Sequence, residues 1–122
     1  EELNNYLQQF SIGFCFYNFE HPFIKENAFN YLTAPSGKLF TYLGIGLPVI
    51  CSDIKAFKIV EKCGAGILID DYSPDNIKIT VDKILNNYKF YSDNALKLAE
   101  RNCFKKNIEP FIGYLLKSQA DN

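Results

Sequence analysis

The feature that most constrains the fold is an alternation between short apolar runs and segments with helical periodicity. The runs cover residues 11–19, 47–52 and 66–70. Nearly continuous apolar runs of this length are typical of strands that are covered on both faces. A repeated strand-helix order indicates a parallel sheet joined by right-handed crossovers. The sequence therefore predicts an α/β fold in three layers, α/β/α, with a partial sheet of about three strands.

The segments between the runs predict helices with recognisable ends. Apolar side chains recur at helical spacing in residues 36–45, and Gly46 follows where that helix would stop. Ser52 or Asp53 would cap the next helix. Ser73-Pro74-Asp75 is typical of a helix start, with a capping hydroxyl, a proline at the first helical position and then an acid.

The remaining segments predict two closing helices and one long loop. The helices cover residues 93–101 and 108–117, and Pro110 falls in the first turn of the second one. Residues 20–35 predict a loop with one helical turn near residues 24–29. A loop of this length after the carboxyl end of a strand more often carries function than not.

The composition supports one domain over residues 1–122. Hydrophobic residues make up 48% of the 122-residue chain, which is enough for a packed core.

A formal net charge of -1 argues against a nucleic-acid partner. No apolar run is long enough to cross a membrane, and the first residues do not resemble a signal peptide. The chain begins at Glu1 and contains no Met, so we expect it to be part of a longer protein.

The four cysteines stand singly at positions 15, 51, 63 and 103, and the chain has one histidine. Because no two cysteines form a close pair, the pattern argues against zinc and against a redox dithiol. We expect reduced, mostly buried thiols, which is typical of a cytosolic protein. No cofactor and no metal are predicted.

The segment from Ala34 to Ile50 carries the most chemical information. Pro35 ends the loop, and Ser36 and Gly37 begin a helix whose first N–H groups have no intrahelical acceptors. These donors, the helix dipole and the Lys38 cation would form a seat for a phosphate. The alternative is that Ser36 only caps the helix and that the Lys38 ammonium is solvated.

Residues 36–50 read Ser-Gly-Lys-Leu-Phe-x-Tyr-Leu-x-x-Gly-x-Pro-Val-Ile. This pattern resembles the nucleotide-sugar-binding carboxyl-terminal domain of glycosyltransferases with the GT-B fold, which has two Rossmann-like domains. Residues 60–69 resemble the segment that follows in that family, and residues 73–87 and 94–111 resemble its next helices. The resemblance runs from about residue 11 to about residue 116, and it implies a Rossmann-like sheet.

The resemblance also implies a set of donor-binding residues. The start of the helix would face the diphosphate of a nucleotide sugar, and position 41 would face the ribose. Many family members carry Glu at position 41 and another Glu eight residues earlier, where this sequence has Thr41 and Thr33. The two-glutamate pattern of retaining enzymes is therefore not met, and no catalytic residue is identified. The residues expected to bind the donor are Ser36, Gly37, Lys38, Leu39 and Thr41.

On this resemblance, the chain is the carboxyl-terminal part of a donor-binding domain and is inactive alone. Its partners would be a nucleoside-diphosphate sugar and the amino-terminal, acceptor-binding domain of the same protein. The parent protein would be cytoplasmic or peripherally associated with the cytosolic face of a membrane. An alternative from another class is a flavodoxin-like α/β module that binds or associates without catalysis.

The first apolar run is expected at an open edge of the sheet, because the strands that would flank it lie upstream of residue 11. An unpaired aromatic edge favours pairing with another chain. Residues 11–19 therefore predict a homodimer with contacts through Phe14 and Phe16.

Five other polar residues each have a functional and a structural interpretation. His21 follows the first strand near Glu20 and Glu26, where the carboxyl edge of a sheet presents functional groups. The alternative is an exposed loop histidine beside solvated carboxylates. Asp70 and Asp71 end the third run and would either bind a metal or form a solvated turn.

Overall fold

A computed structural model describes residues 2–17, 20–27 and 36–120. At its centre three parallel strands lie side by side in chain order. They are β1 (Gly13–Cys15), β2 (Val49–Ser52) and β3 (Gly66–Ile69). The predicted α/β class with a three-stranded parallel sheet is therefore confirmed.

Helices precede, connect and follow the strands. Two short helices flank β1, namely α1 (Glu2–Leu7) and α2 (Pro22–Glu26). The helices that connect the strands are α3 (Gly37–Gly44), before β2, and α4 (Lys58–Lys62), which follows a 3-10 turn (Lys55–Phe57) and precedes β3. Three helices follow β3, namely α5 (Pro74–Asn86), α6 (Tyr88–Arg101) and α7 (Phe104–Ala120).

The side chains of β2 alternate between two core clusters. Val49 and Cys51 pack on one face of the sheet with residues of α3, α4 and α6, whereas Ile50 packs on the other face against α5. When two successive connections between parallel strands are both right-handed and both lead to the next strand in the same direction across the sheet, their helices lie on the same face of the sheet. α3 and α4 do share a face, and the sheet is the middle of three layers, as predicted.

Two glycines sit where a side chain would not fit. Gly46 ends α3 with a positive φ of 78°, and its N–H donates to the carbonyl oxygen of Leu43 at 3.0 Å. This confirms the predicted helix stop. A Cβ on Gly66 would lie 2.0 Å from the carbonyl oxygen of Val49, so β2 and β3 approach each other only because position 66 is glycine.

The first strand is shorter than the apolar run that predicted it. Beyond Cys15, the N–H of Tyr17 donates to the hydroxyl of Ser52 at 3.0 Å instead of to a backbone carbonyl. The strand ladder therefore ends at Cys15, although the sequence remains apolar.

The predicted cap at Ser52 or Asp53 is wrong. The 3-10 turn begins after Ile54, whose side chain makes no capping hydrogen bond. Ser52 instead ends β2 with a buried hydroxyl, and the carboxylate of Asp53 pairs with the ammonium of Lys58. The two polar side chains are engaged elsewhere, so the turn starts without them.

Four helices differ from the prediction, either because they were not predicted or because they begin at an earlier residue. α1 was not predicted, α2 begins at Pro22 rather than near residue 24, and α6 begins at Tyr88 rather than at residue 93. α7 begins at Phe104, so Pro110 lies inside the helix and not in its first turn. Within the added turn, Lys106 forms an exposed ion pair with Glu100 of α6, and their charged atoms are 2.6 Å apart.

Candidate functional site

α3 connects β1 to the parallel strand β2 and packs on both, so its amino terminus lies near the carboxyl end of β1. The pKa of Cys15, the last residue of β1, is lowered chiefly by a hydrogen bond from Cys51 and also by the charge of Lys38. That charge acts on Cys51 as well, although the hydrogen bond with Cys15 and burial raise the pKa of Cys51 overall. The start of α3 is thus at the sheet edge where parallel α/β folds bind ligands.

Ser36 occupies the cap position of α3. Its hydroxyl oxygen accepts the N–H of Lys38 at 3.2 Å, and its carbonyl oxygen accepts the N–H of Leu39 at 3.1 Å. Ser36 is therefore the N-cap of α3, whether or not this helix end also binds a phosphate. The hydroxyl hydrogen of Ser36 can still be donated, because capping uses only the oxygen as an acceptor.

Gly37 and Lys38 are exposed at the same helix end. A Cβ built on Gly37 would meet no atom of the described residues within 4 Å, so among those residues a side chain at this position would point into open space. The backbone of Gly37 does not have a positive φ, and its conformation suits any residue. Ser36 already accepts the N–H groups of Lys38 and Leu39, so an anion at this helix end would be bound by the N–H of Gly37 and the Lys38 ammonium.

The other two predicted donor-binding residues are placed differently. Leu39 is fully buried in the core, so its side chain cannot reach a ligand. The hydroxyl of Thr41 donates to the carbonyl oxygen of Gly37 at 3.2 Å, one turn back along the same helix. The structure thus brings Ser36, Gly37 and Lys38 together and leaves Thr41 bonded within α3; Thr33 lies outside the described residues.

The surroundings of this helix start are free of acidic residues in the sequence. No Asp or Glu occurs between residues 27 and 52, and the first turn of α3 contains none. The first turn of α3 therefore supplies no carboxylate of its own to the positive end of the helix dipole, and Lys38 adds a positive charge to it. This combination favours an anion from outside the helix.

A second polar cluster joins the carboxyl ends of all three strands. The buried Ser52 hydroxyl accepts the N–H of Tyr17 at 3.0 Å and the phenolic O–H of Tyr72 at 2.7 Å. The Tyr72 ring packs edge-on against Phe16, with ring centroids 5.1 Å apart. The sequence analysis missed this cluster, although a serine at the end of an apolar strand signals a buried hydroxyl that needs partners.

The acidic residues after β3 serve the start of α5. The Asp71 carboxylate accepts the Ser73 N–H at 2.8 Å and the Ser73 hydroxyl at 3.0 Å. The Ser73 hydroxyl in turn accepts the N–H of Asn76 at 3.3 Å. Asp70 and Asp71 are both exposed, so the solvated-turn interpretation describes this segment.

The residues around His21 lie at the start of α2 and just before it. The Glu20 carboxylate pairs with the Lys25 ammonium at 2.8 Å, and this hydrogen bond lowers the pKa of Glu20. His21 is exposed at the cap position of α2, where its side chain makes no capping hydrogen bond. Glu26 is exposed at the end of that helix.

Within residues 2–17, 20–27 and 36–120, no group of three or more His, Cys, Asp or Glu residues is placed to hold a metal ion. Two open grooves lie elsewhere on the surface. The first has a volume of about 540 Å³ and is lined by Phe40, Gly44, Leu96, Ala99, Glu100, Asn102 and Cys103. The second has a volume of about 220 Å³ and is lined by Leu7, Phe10, Ile12, Phe14, Tyr42 and Leu47. Neither groove includes the exposed start of α3.

None of the helices in the described ranges combines the length and the apolar character needed to cross a membrane. No family model matches the sequence, and no curated protein or solved structure matches it.

Proposed function

We propose that this chain binds the diphosphate of a nucleotide-sugar donor at the amino terminus of α3, as part of the donor-binding domain of a GT-B glycosyltransferase. The observation that carries the proposal is the exposed, cationic and acid-free start of α3 beside the carboxyl end of β1. Open parallel sheets bind ligands outside the carboxyl ends of their strands. The motif resemblance over residues 36–50 supplies the donor class.

Three groups would hold the diphosphate. The N–H of Gly37 lies in the first turn of the exposed helix start, the Lys38 ammonium supplies a full positive charge, and the Ser36 hydroxyl can donate its hydrogen. In sugar transfer, negative charge grows on the departing diphosphate as the glycosidic bond to it breaks. Donors and a cation fixed at a helix end would stabilise that charge without reorganising.

Thr41 would have a smaller role. Its hydroxyl already donates to the carbonyl oxygen of Gly37, so it would contact a ribose through its oxygen or after leaving that bond. On this proposal the sugar acceptor is held by another domain of the parent protein. That protein would act in the cytoplasm or at the cytosolic face of a membrane.

The second candidate is a flavodoxin-like α/β module that associates without catalysis. One observation favours it: the hydroxyls of Ser36 and Thr41 are both bonded within α3, which is what a purely structural helix requires. The two candidates differ in whether the start of α3 binds an anion.

The experiment compares Lys38→Ala with Lys62→Ala. Both lysines are exposed, but Lys62 ends α4, so its replacement removes the same charge from the opposite end of a helix. In calorimetric titrations with uridine, guanosine and adenosine diphosphates, Lys38→Ala should weaken binding by about 1.5–3 kcal/mol. Its free energy of unfolding should not fall, because a lysine at a helix start opposes the dipole.

Lys62→Ala should bind like the wild type. Equal affinity of Lys38→Ala and the wild type would reduce Ser36 to a helix cap and contradict the proposal. If none of the three diphosphates binds the wild-type chain, the associating module is the better description.

A further inference from the structure

One side of β1 is open in the part of the chain that the structure describes. β1 pairs with β2, and β2 and β3 complete the sheet on that side. The Gly13 N–H donates to the carbonyl oxygen of Pro48 at 2.9 Å, and the Tyr17 N–H donates to Ser52. Odd-numbered residues of this segment therefore direct their N–H groups toward β2. Because backbone groups alternate along a strand, the N–H and C=O of Phe14 point to the open side.

The segment that carries this edge is uncharged and contains exposed apolar side chains. No Asp, Glu, Lys or Arg occurs from Leu3 to Tyr17, and that stretch contains no proline. Phe14 is 39% exposed, and its ring lies 5.3 Å from that of Phe16, centroid to centroid. The groove of about 220 Å³ runs beside it. Proteins protect open edges with lysine, proline or a covering segment, and the sequence of this edge has neither lysine nor proline.

We infer that this edge pairs with the same edge of a second copy, as an antiparallel strand pair across a twofold axis at Phe14. In that register the two Phe14 residues exchange both of their outward hydrogen bonds. Ile12 of each copy lies opposite Phe16 of the other, so one face carries a ladder of apolar side chains. The inference concerns the 122-residue chain, because under the proposed function strands of the parent protein upstream of residue 11 would flank this edge instead.

A second copy fits this edge better than a charged partner does. The twofold axis brings each residue opposite itself or opposite a residue of the same short segment. Since the segment has no charge, self-pairing creates no like-charge contact, and the outward N–H and C=O of Phe14 complement each other. A partner with a charged surface would lose hydration here and gain no ion pair.

The experiment measures association of the 122-residue chain by sedimentation equilibrium up to millimolar concentration. The wild type should form a dimer, and Phe14→Lys should raise the dissociation constant at least about tenfold, because it places two ammonium groups opposite each other. The matched control is Phe111→Lys. Phe111 is 54% exposed on α7, which presents the other large apolar surface, and this variant should dimerise like the wild type.

Hydrogen exchange of the wild type tests the register even if Phe14→Lys folds poorly. Protection of the Phe14 N–H should rise at least about tenfold with concentration, whereas protection of the Cys15 N–H, which faces β2, should stay constant. A wild type that stays monomeric would overturn the inference. Dissociation of the dimer by Phe111→Lys would also overturn it. The same holds if the exchange rate of the Phe14 N–H does not depend on protein concentration.

Discussion

α3 and α5 both begin near the carboxyl edge of the sheet with a serine cap, yet the charges at the two helix starts are opposite. Ser36 accepts the N–H of Lys38 at 3.2 Å, and Ser73 accepts the N–H of Asn76 at 3.3 Å. The start of α5 has its own carboxylate, because Asp71 accepts two hydrogen bonds from Ser73. The start of α3 has a lysine and no acidic residue in its first turn.

The comparison teaches that the same cap serves two purposes. At α5 the protein neutralises the helix dipole with carboxylates from its own chain, and a ligand anion would meet repulsion there. At α3 the dipole is left uncompensated and a cation is added to it, which lowers local stability. This unfavourable charge at the start of α3 is consistent with binding of an anion from outside the chain, and three changes test the difference between the two helix starts.

The largest effect is expected when α3 is given the charge pattern of α5. Lys38→Asp removes the cation and places an anion in the first turn, so diphosphate binding should fall by about 100-fold or more. The same change should stabilise the fold by about 0.3–1 kcal/mol, because the carboxylate complements the dipole. Titration calorimetry and urea unfolding measure the two effects.

The control for this change is Lys62→Asp, which makes the same charge change at the end of α4. There an anion meets the negative end of a helix, so stability should fall while binding is kept. Binding by Lys38→Asp within about threefold of the wild type, a difference under 1 kcal/mol, would show that charge at α3 is irrelevant to the ligand.

The next effect concerns the open space at Gly37. Cβ atoms tilt toward the helix amino terminus, so the methyl group of Gly37→Ala would occupy the path of an approaching anion and weaken binding about tenfold. Gly44→Ala is a matched control, because its Cβ also meets no atom within 4 Å but lies at the other end of α3. Neither change should destabilise the fold. Equal diphosphate affinities for the two variants would mean that the anion does not approach Gly37.

The smallest effect separates the two caps by stability. Ser73→Ala should lower the free energy of unfolding by about 1–2 kcal/mol, because it removes both the Asn76 contact and a hydrogen bond to Asp71. Ser36→Ala should cost about 0.5–1 kcal/mol, because it removes the Lys38 contact alone. Urea unfolding with unchanged m-values measures the difference. A larger loss of stability for Ser36→Ala than for Ser73→Ala would contradict the interpretation that the start of α5 is held by more hydrogen bonds than the start of α3.

Strand positions could be predicted from the sequence, but strand ends could not. The run at 47–52 contains β2 because a strand covered on both faces is apolar throughout. The run at 11–19 contains only three residues of strand, because the N–H of Tyr17 bonds to a side chain from another strand. Apolar character persists beyond the ladder, so composition does not mark where pairing stops.

The candidate site, too, could be predicted from the sequence only in part. The start of α3 was predicted because capping residues, glycine and lysine act locally. The burial of Leu39 could have been inferred from its spacing to Leu43, since both lie on the core face of α3. The bond between Tyr72 and Ser52 could not, because it joins residues 20 positions apart through a turn whose path depends on the assembled sheet.

The most direct measurement follows the backbone amide signals of both helix starts by NMR during a titration with inorganic pyrophosphate. Pyrophosphate carries the diphosphate without a base or a sugar, so the result does not depend on the identity of the donor. We predict saturable shifts for Gly37 and Lys38 that weaken with added salt, and none for Asp75 and Asn76 at the start of α5. Unchanged Gly37 and Lys38 signals, or equal shifts at both helix starts, would contradict the proposal that α3 binds the diphosphate.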